Sequence, residues 1–103
     1  MLYRDYEGRE TRLSEERLQH ILTQHPFLVG KEWAIRETLE DPDEVRESNQ
    51  DERVNLYYRW YNLSEIDGKF ICIVVRAREG DNLVVTTYPT ERVKRGDLVW
   101  RRN

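Results

Sequence analysis

The sequence predicts an α+β domain: two N-terminal helices packed on a roughly four-stranded antiparallel meander sheet, with room for a short leading hairpin. Three observations predict this. Apolar residues recur at helical spacing only before Leu39. From Arg53 onward the spacing changes to alternation, the period of a strand. The five glycines, Gly8, Gly30, Gly68, Gly80 and Gly96, fall between the periodic segments rather than inside them. A chain of 103 residues is expected to form one domain over residues 1–103.

In chain order, residues 2–6 and 9–13 suit a small hairpin around Glu7-Gly8. Ser14 is a good helix N-cap, and Glu15 and Glu16 follow where the helix dipole favours negative charge. Pro26 ends that helix, and a second is expected over about Lys31–Leu39. Asp41-Pro42-Asp43-Glu44 reads as the start of a further helical turn, with Pro42 at its first position. Val54–Tyr61 alternates, with Val54, Leu56, Tyr58 and Trp60 on one face and Asn55, Tyr57, Arg59 and Tyr61 on the other. Phe70–Ala77 is apolar on both faces until Arg76, as in a covered central strand. Leu83–Tyr88 follows a Glu79-Gly80-Asp81 turn, and Leu98–Arg101 suits a short last strand. Helices packed on one face of such a sheet leave the other free to carry function.

Composition limits the function. The longest apolar run, Phe70–Val75, is too short to span a bilayer, and the first residues carry no apolar signal region. The single Cys72 lies within that run and reads as a buried small hydrophobe in a reducing compartment, so a cytoplasmic protein is expected. The net charge is −3, but it is unevenly spread. Residues 37–52 hold eight acids against Arg46, and residues 92–103 hold five cations against Asp97. The basic end reads either as solvated surface or as a local phosphate-attracting patch.

No phosphate loop, metal-ligand cluster or nucleophile elbow is present, so an enzymatic reading rests on the two histidines, His20 and His25. Histidine takes and gives a proton near neutral pH. On an ideal helix His25 lies about −20° from Leu18, within the apolar stripe of Leu18, Ile21 and Leu22, whereas His20 lies about 200° away. The two therefore act as a pair only if the helix unwinds at Pro26. His25 reads equally as a core or capping histidine, and His20 as a solvated one. Their spacing of five does not align two metal ligands, and no Cys or third His completes a set. On the sheet, Tyr57, Arg59 and Tyr61 form an aromatic–cation–aromatic row suited to stacking bases and binding phosphate, although Tyr is also an ordinary strand residue. Thr86 and Tyr88 share one face of the following strand, where their hydroxyls suit a phosphoryl oxygen.

The order of His20-Ile21, Gln24-His25-Pro26, Thr38-Leu39, Pro42-Asp43, Leu56-Tyr57-Tyr58-Arg59, Ile71–Val75, Val85-Thr86-Thr87-Tyr88 and Gly96…Trp100 resembles the small phage-associated branch of the barnase/EndoU/colicin/RelE-like nucleases. The resemblance covers about residues 10–101. It implies an α+β fold and a metal-independent, toxin-like ribonuclease without cofactor. It also implies site positions at His20, His25, Thr86 and Tyr88, with a strand cation at Arg59 or Arg53. Cleavage by 2′-OH attack needs a base, an acid and groups that stabilise the charged phosphorane. In that scheme His25 is the base or acid, His20 a second such group, Arg59 the clamp, and Thr86 and Tyr88 phosphate donors. Arg92, Lys94 and Arg95 steer the backbone while Tyr57 or Tyr61 stacks a base, and Arg53 is a further substrate-binding residue. RNA is then the substrate, an antitoxin or immunity protein the expected partner, and no membrane is involved. The alternative is a non-catalytic interaction module, either immunity- or antitoxin-like through the acidic 37–52 segment or a degenerate nuclease scaffold.

Overall fold

The computed structural model describes residues 1–62, 68–94 and 96–103. The chain begins with β1 (Leu2–Arg4) and β2 (Glu10–Arg12), an antiparallel hairpin, followed by α1 (Glu15–Gln24) and α2 (Trp33–Glu40). Ser14 caps α1 by accepting the Arg17 N–H. A single 3₁₀ turn, Pro26–Leu28, joins the helices, and Gly30 at φ +80° supplies the left-handed turn into α2. Five strands follow: β3 (Glu44–Ser48), β4 (Val54–Tyr61), β5 (Lys69–Arg78), β6 (Asp81–Thr90) and β7 (Gly96–Arg101).

These strands form one seven-stranded mixed sheet in the order β1-β2-β6-β5-β4-β3-β7. The expected four-stranded meander under two helices is therefore corrected to a mostly β architecture. Strands β3 to β6 are antiparallel neighbours in chain order, but the sheet continues past both of them. At one side β2 joins β6 in parallel through Thr11–Asn82 and Arg12–Leu83, carrying the leading hairpin into the sheet. At the other, β7 pairs with β3. The segment expected to start a helical turn at Pro42 instead leads into β3. Its pattern is hard to see in sequence because it fully buries only Val45 and is otherwise charged and half-buried. Its charges are matched locally: Glu44 accepts from Arg46 at 2.7 Å and from Arg101 at 3.3 Å. Gly96 lets β7 approach β3, since a Cβ there would collide with the Glu47 carbonyl oxygen.

The two helices cover one face. Leu18 and Ile21 of α1 and Ala34, Ile35 and Leu39 of α2 pack with Val45, Tyr57, Tyr61, Ile71, Ile73, Val75 and Val84 of the sheet. The face that carries Tyr57, Arg59 and Tyr61 is thus the covered one. That reverses the expectation that this row was free for a ligand. The reason is chemical: each of the three side chains finds a partner for its polar end in the helical layer or in the turn of the leading hairpin. Tyr57 Oη donates to Asp5 Oδ2 at 2.8 Å, and Tyr61 Oη lies 3.2 Å from both the Ala34 carbonyl and Thr38 Oγ1. Arg59 pairs with Glu37 at 3.1 Å and Asp41 at 3.3 Å. A tyrosine buries its ring as readily as a leucine once its hydroxyl is satisfied.

The opposite face carries a smaller core of Leu56, Tyr58 and Cys72, flanked by Val54, Phe70, Val74, Tyr88 and Val93. Among the described residues no helix crosses it. Among the described residues no helix is long and apolar enough to cross a membrane.

Candidate functional site

The strand register sets out the open face as rows. Arg12, Leu83, Arg76 and Val54 stand side by side, followed by Thr86, Val74, Leu56 and Arg46, then Tyr88, Cys72, Tyr58 and Glu44. Between the loop after β3 and the segment after β6 these rows form the floor of an open groove of about 740 Å³. Val54, Leu56 and Val74 provide the apolar base. Arg76, Thr86, Tyr88 and Lys94 line one part, and Ser48, Asn49, Gln50 and Asp51 the other.

Lys94 is held from below: its backbone N–H donates to Tyr58 Oη at 3.0 Å, and its ammonium sits 5.3 Å from the centre of the Tyr88 ring. No carboxylate pairs with it among the described residues. Tyr88 Oη is buried, has no hydrogen-bond partner and lies beside the Cys72 thiol. Burial and the neighbouring thiol raise its pKa, so it stays a protonated phenol. Arg76 reaches Asp51 at 3.5 Å. Asp51 also accepts from the Arg53 backbone and guanidinium, which hold its carboxyl below the usual range. The groove therefore offers an ammonium, a guanidinium and the Thr86 hydroxyl above an apolar floor, with Tyr88 Oη buried beneath.

The expected site residues do not converge. Thr86, Tyr88 and Lys94 share this groove. Arg59 and the buried Tyr57 and Tyr61 lie on the other side of the sheet, so the expected clamp and stacking platform are already engaged with the helical layer. Arg53 is tied to Asp51 at the loop, and Arg92 is exposed in a tight turn in which its N–H donates to Thr90 Oγ1 at 3.3 Å. Arg95 lies outside the described residues. His25 ends α1 in a non-helical conformation, φ −130° and ψ 72°, with its ring edge-on to Phe27 at 6.1 Å. Its partial burial lowers its pKa. The helix thus ends one residue before His25, yet His20 remains on the exposed side of α1, in a hollow with Ser14, Glu16 and Arg17. Neither histidine lines the groove of Thr86 and Tyr88.

The acidic 37–52 segment is largely consumed by internal pairs. Beyond the bonds already given for Glu37, Glu44 and Asp51, Asp41 meets Arg102 at 3.0 Å and Asp43 accepts the Trp60 N–H at 2.6 Å. What reads in sequence as an acidic surface is in the fold a set of arginine clasps. Among the described residues no three His, Cys, Asp or Glu side chains gather as metal ligands.

Sequence reasoning missed Arg76 as a groove residue. The signal was available: a lone arginine ending an apolar central strand has to reach solvent or a carboxylate. No protein-family model, curated protein or solved structure matches the chain.

Proposed function

We propose that this protein binds single-stranded RNA on the open face of its sheet, with the groove of Arg76, Thr86, Tyr88 and Lys94 receiving the phosphate backbone. The observation that carries this is the groove itself: the Lys94 ammonium, without a carboxylate partner among the described residues, stands with Arg76 and Thr86 above an apolar floor. Apolar and aromatic surface accommodates bases, while cations and hydroxyls accommodate phosphates. Likeness in segment order to small nucleases supports RNA as the polymer. The role of the histidines in cleavage is not favoured by their placement, since neither borders the groove. The acidic-surface module is not favoured either, because most of its carboxylates already hold arginines.

The test uses a labelled RNA of about ten nucleotides, within the span one small domain contacts. Fluorescence anisotropy in EDTA is expected to show binding whose logarithmic salt slope is about −1.4 if Arg76 and Lys94 neutralise two phosphates of a single strand. The variant Lys94→Ala is expected to bind about tenfold more weakly, the loss of one charge-assisted contact of about 1.5 kcal/mol. Unchanged affinity in that variant overturns the assignment. The same incubation run on a gel shows whether the RNA is cut, and His25→Ala shows whether that residue takes part.

A further inference from the structure

Beyond Arg76 a second hollow of about 270 Å³ lies where the sheet meets the first turn of α1, lined by Arg12, Ser14, Arg17, Arg76, Arg78, Leu83, Val84 and Val85. Four of these residues are arginines. Their convergence follows from the topology and is invisible in the linear sequence. Arg12 and Arg76 both stand beside Leu83, on either side of β6. Arg78 lies two residues further along β5, on the same face as Arg76. Arg17 comes from the first turn of α1, which leaves the sheet just after β2.

The charge balance of this hollow is specific. Arg12 is 3.6 Å from Asp81 and Arg76 is 3.5 Å from Asp51, so each is offset by one carboxylate. Arg17 and Arg78 have no carboxylate partner among the described residues. Glu16 borders the neighbouring hollow with Arg17, and Glu10 lies with Arg78 in another adjoining one. Two guanidinium charges are thus left over beside two that are balanced. A phosphodiester carries one negative charge, and a terminal phosphate monoester carries nearly two at neutral pH, with three oxygens free to accept. Guanidinium pairs bind such an oxygen set in bidentate fashion.

Arg76 lines both this hollow and the groove, so the two adjoin at its side chain. We infer that the four-arginine hollow is a subsite for the terminal phosphate of an RNA strand lying in the groove. This rests on the reading of the groove as an RNA site and adds to it a requirement about the end of the strand.

The experiment compares one RNA sequence of about ten nucleotides in three forms, with a 5′-phosphate, a 3′-phosphate or hydroxyls at both ends. The wild-type protein is expected to bind one phosphorylated form about tenfold more tightly than the hydroxyl form, as a charge-assisted bidentate contact provides. Arg17→Ala/Arg78→Ala is expected to erase that preference while leaving the affinity for the hydroxyl form nearly unchanged. Both side chains are exposed, so the double variant keeps the fold, and a circular dichroism spectrum checks this. Equal binding of all three RNAs, or a preference that persists in the double variant, overturns the subsite and leaves the groove standing. Binding of no RNA at all overturns both. Thermal stabilisation by inorganic phosphate that depends on Arg17 and Arg78, without any preference among the RNAs, assigns the hollow to free phosphate and also overturns it.

Discussion

Removing the Asp5 carboxylate is expected to destabilise the fold more than any other single surface-side change, because that group joins the leading hairpin to the centre of the sheet. Asp5 is 4% exposed. Its Oδ1 accepts the N–H groups of Glu7 at 3.0 Å and Arg9 at 2.9 Å, and its Oδ2 accepts from Arg9 Nε at 2.8 Å and Tyr57 Oη at 2.8 Å. In Asp5→Ala the Tyr57 hydroxyl, on a residue 1% exposed, is stranded. A buried group left without its partner costs about 1–3 kcal/mol. The two turn N–H groups add about 0.5–1.5 kcal/mol each where water does not replace the carboxylate. Arg9 is 43% exposed and turns to solvent at little cost. The sum is about 2–6 kcal/mol, a large part of the ~5–15 kcal/mol that holds a domain together. Urea unfolding followed by tryptophan fluorescence measures it. Tyr57→Phe alone removes the donor without stranding it, so the double variant Asp5→Ala/Tyr57→Phe is expected to cost about 1–2 kcal/mol less than the two single losses added together. A loss below about 0.5 kcal/mol in Asp5→Ala, or strict additivity in the cycle, refutes this account of the hub.

Two further outcomes follow from the packing. Cys72 is fully buried and its thiol is pushed up to about 11 by desolvation, so a thiol reagent at mildly alkaline pH is expected to react only after urea is added. Rapid labelling of the native protein would show that the second core beneath the groove is open. Burial lowers the His25 pKa from 6.5, so between the folded and unfolded values the unfolded chain binds more protons. The stability held above pH 6.5 is therefore lost as pH falls through that window, and His25→Gln is expected to flatten the decline in urea midpoints measured there. An identical decline in the variant places the effect on other groups.

Much of the local structure can be read directly from the sequence. Ser14 with two glutamates starts a helix and Pro26 ends its run, because capping chemistry acts within a few residues. Val54–Tyr61 alternates and Phe70–Ala77 is apolar throughout, and both lie in strands, β4 and β5, because side-chain period is a local property. Alternation shows that β4 has two faces but not which one the helices cover. Tyr57, Arg59 and Tyr61 look polar only until Asp5, Ala34, Thr38, Glu37 and Asp41 are brought to them from distant positions. The same applies to β3, whose charges read as a soluble turn until Arg101 arrives from the far end of the chain. For the candidate site, sequence singled out Thr86, Tyr88 and Lys94 but joined them to His25 and Arg59, which lie across the sheet from them. Composition and periodicity by themselves determined the two short helices and the central strands as separate elements, not the seven-stranded, mostly β sheet that joins them. Only the tertiary structure decided the face that stays open, the groove on it, and the meeting of Arg12, Arg17, Arg76 and Arg78, since each depends on pairings between residues far apart in sequence, and no local pattern encodes those.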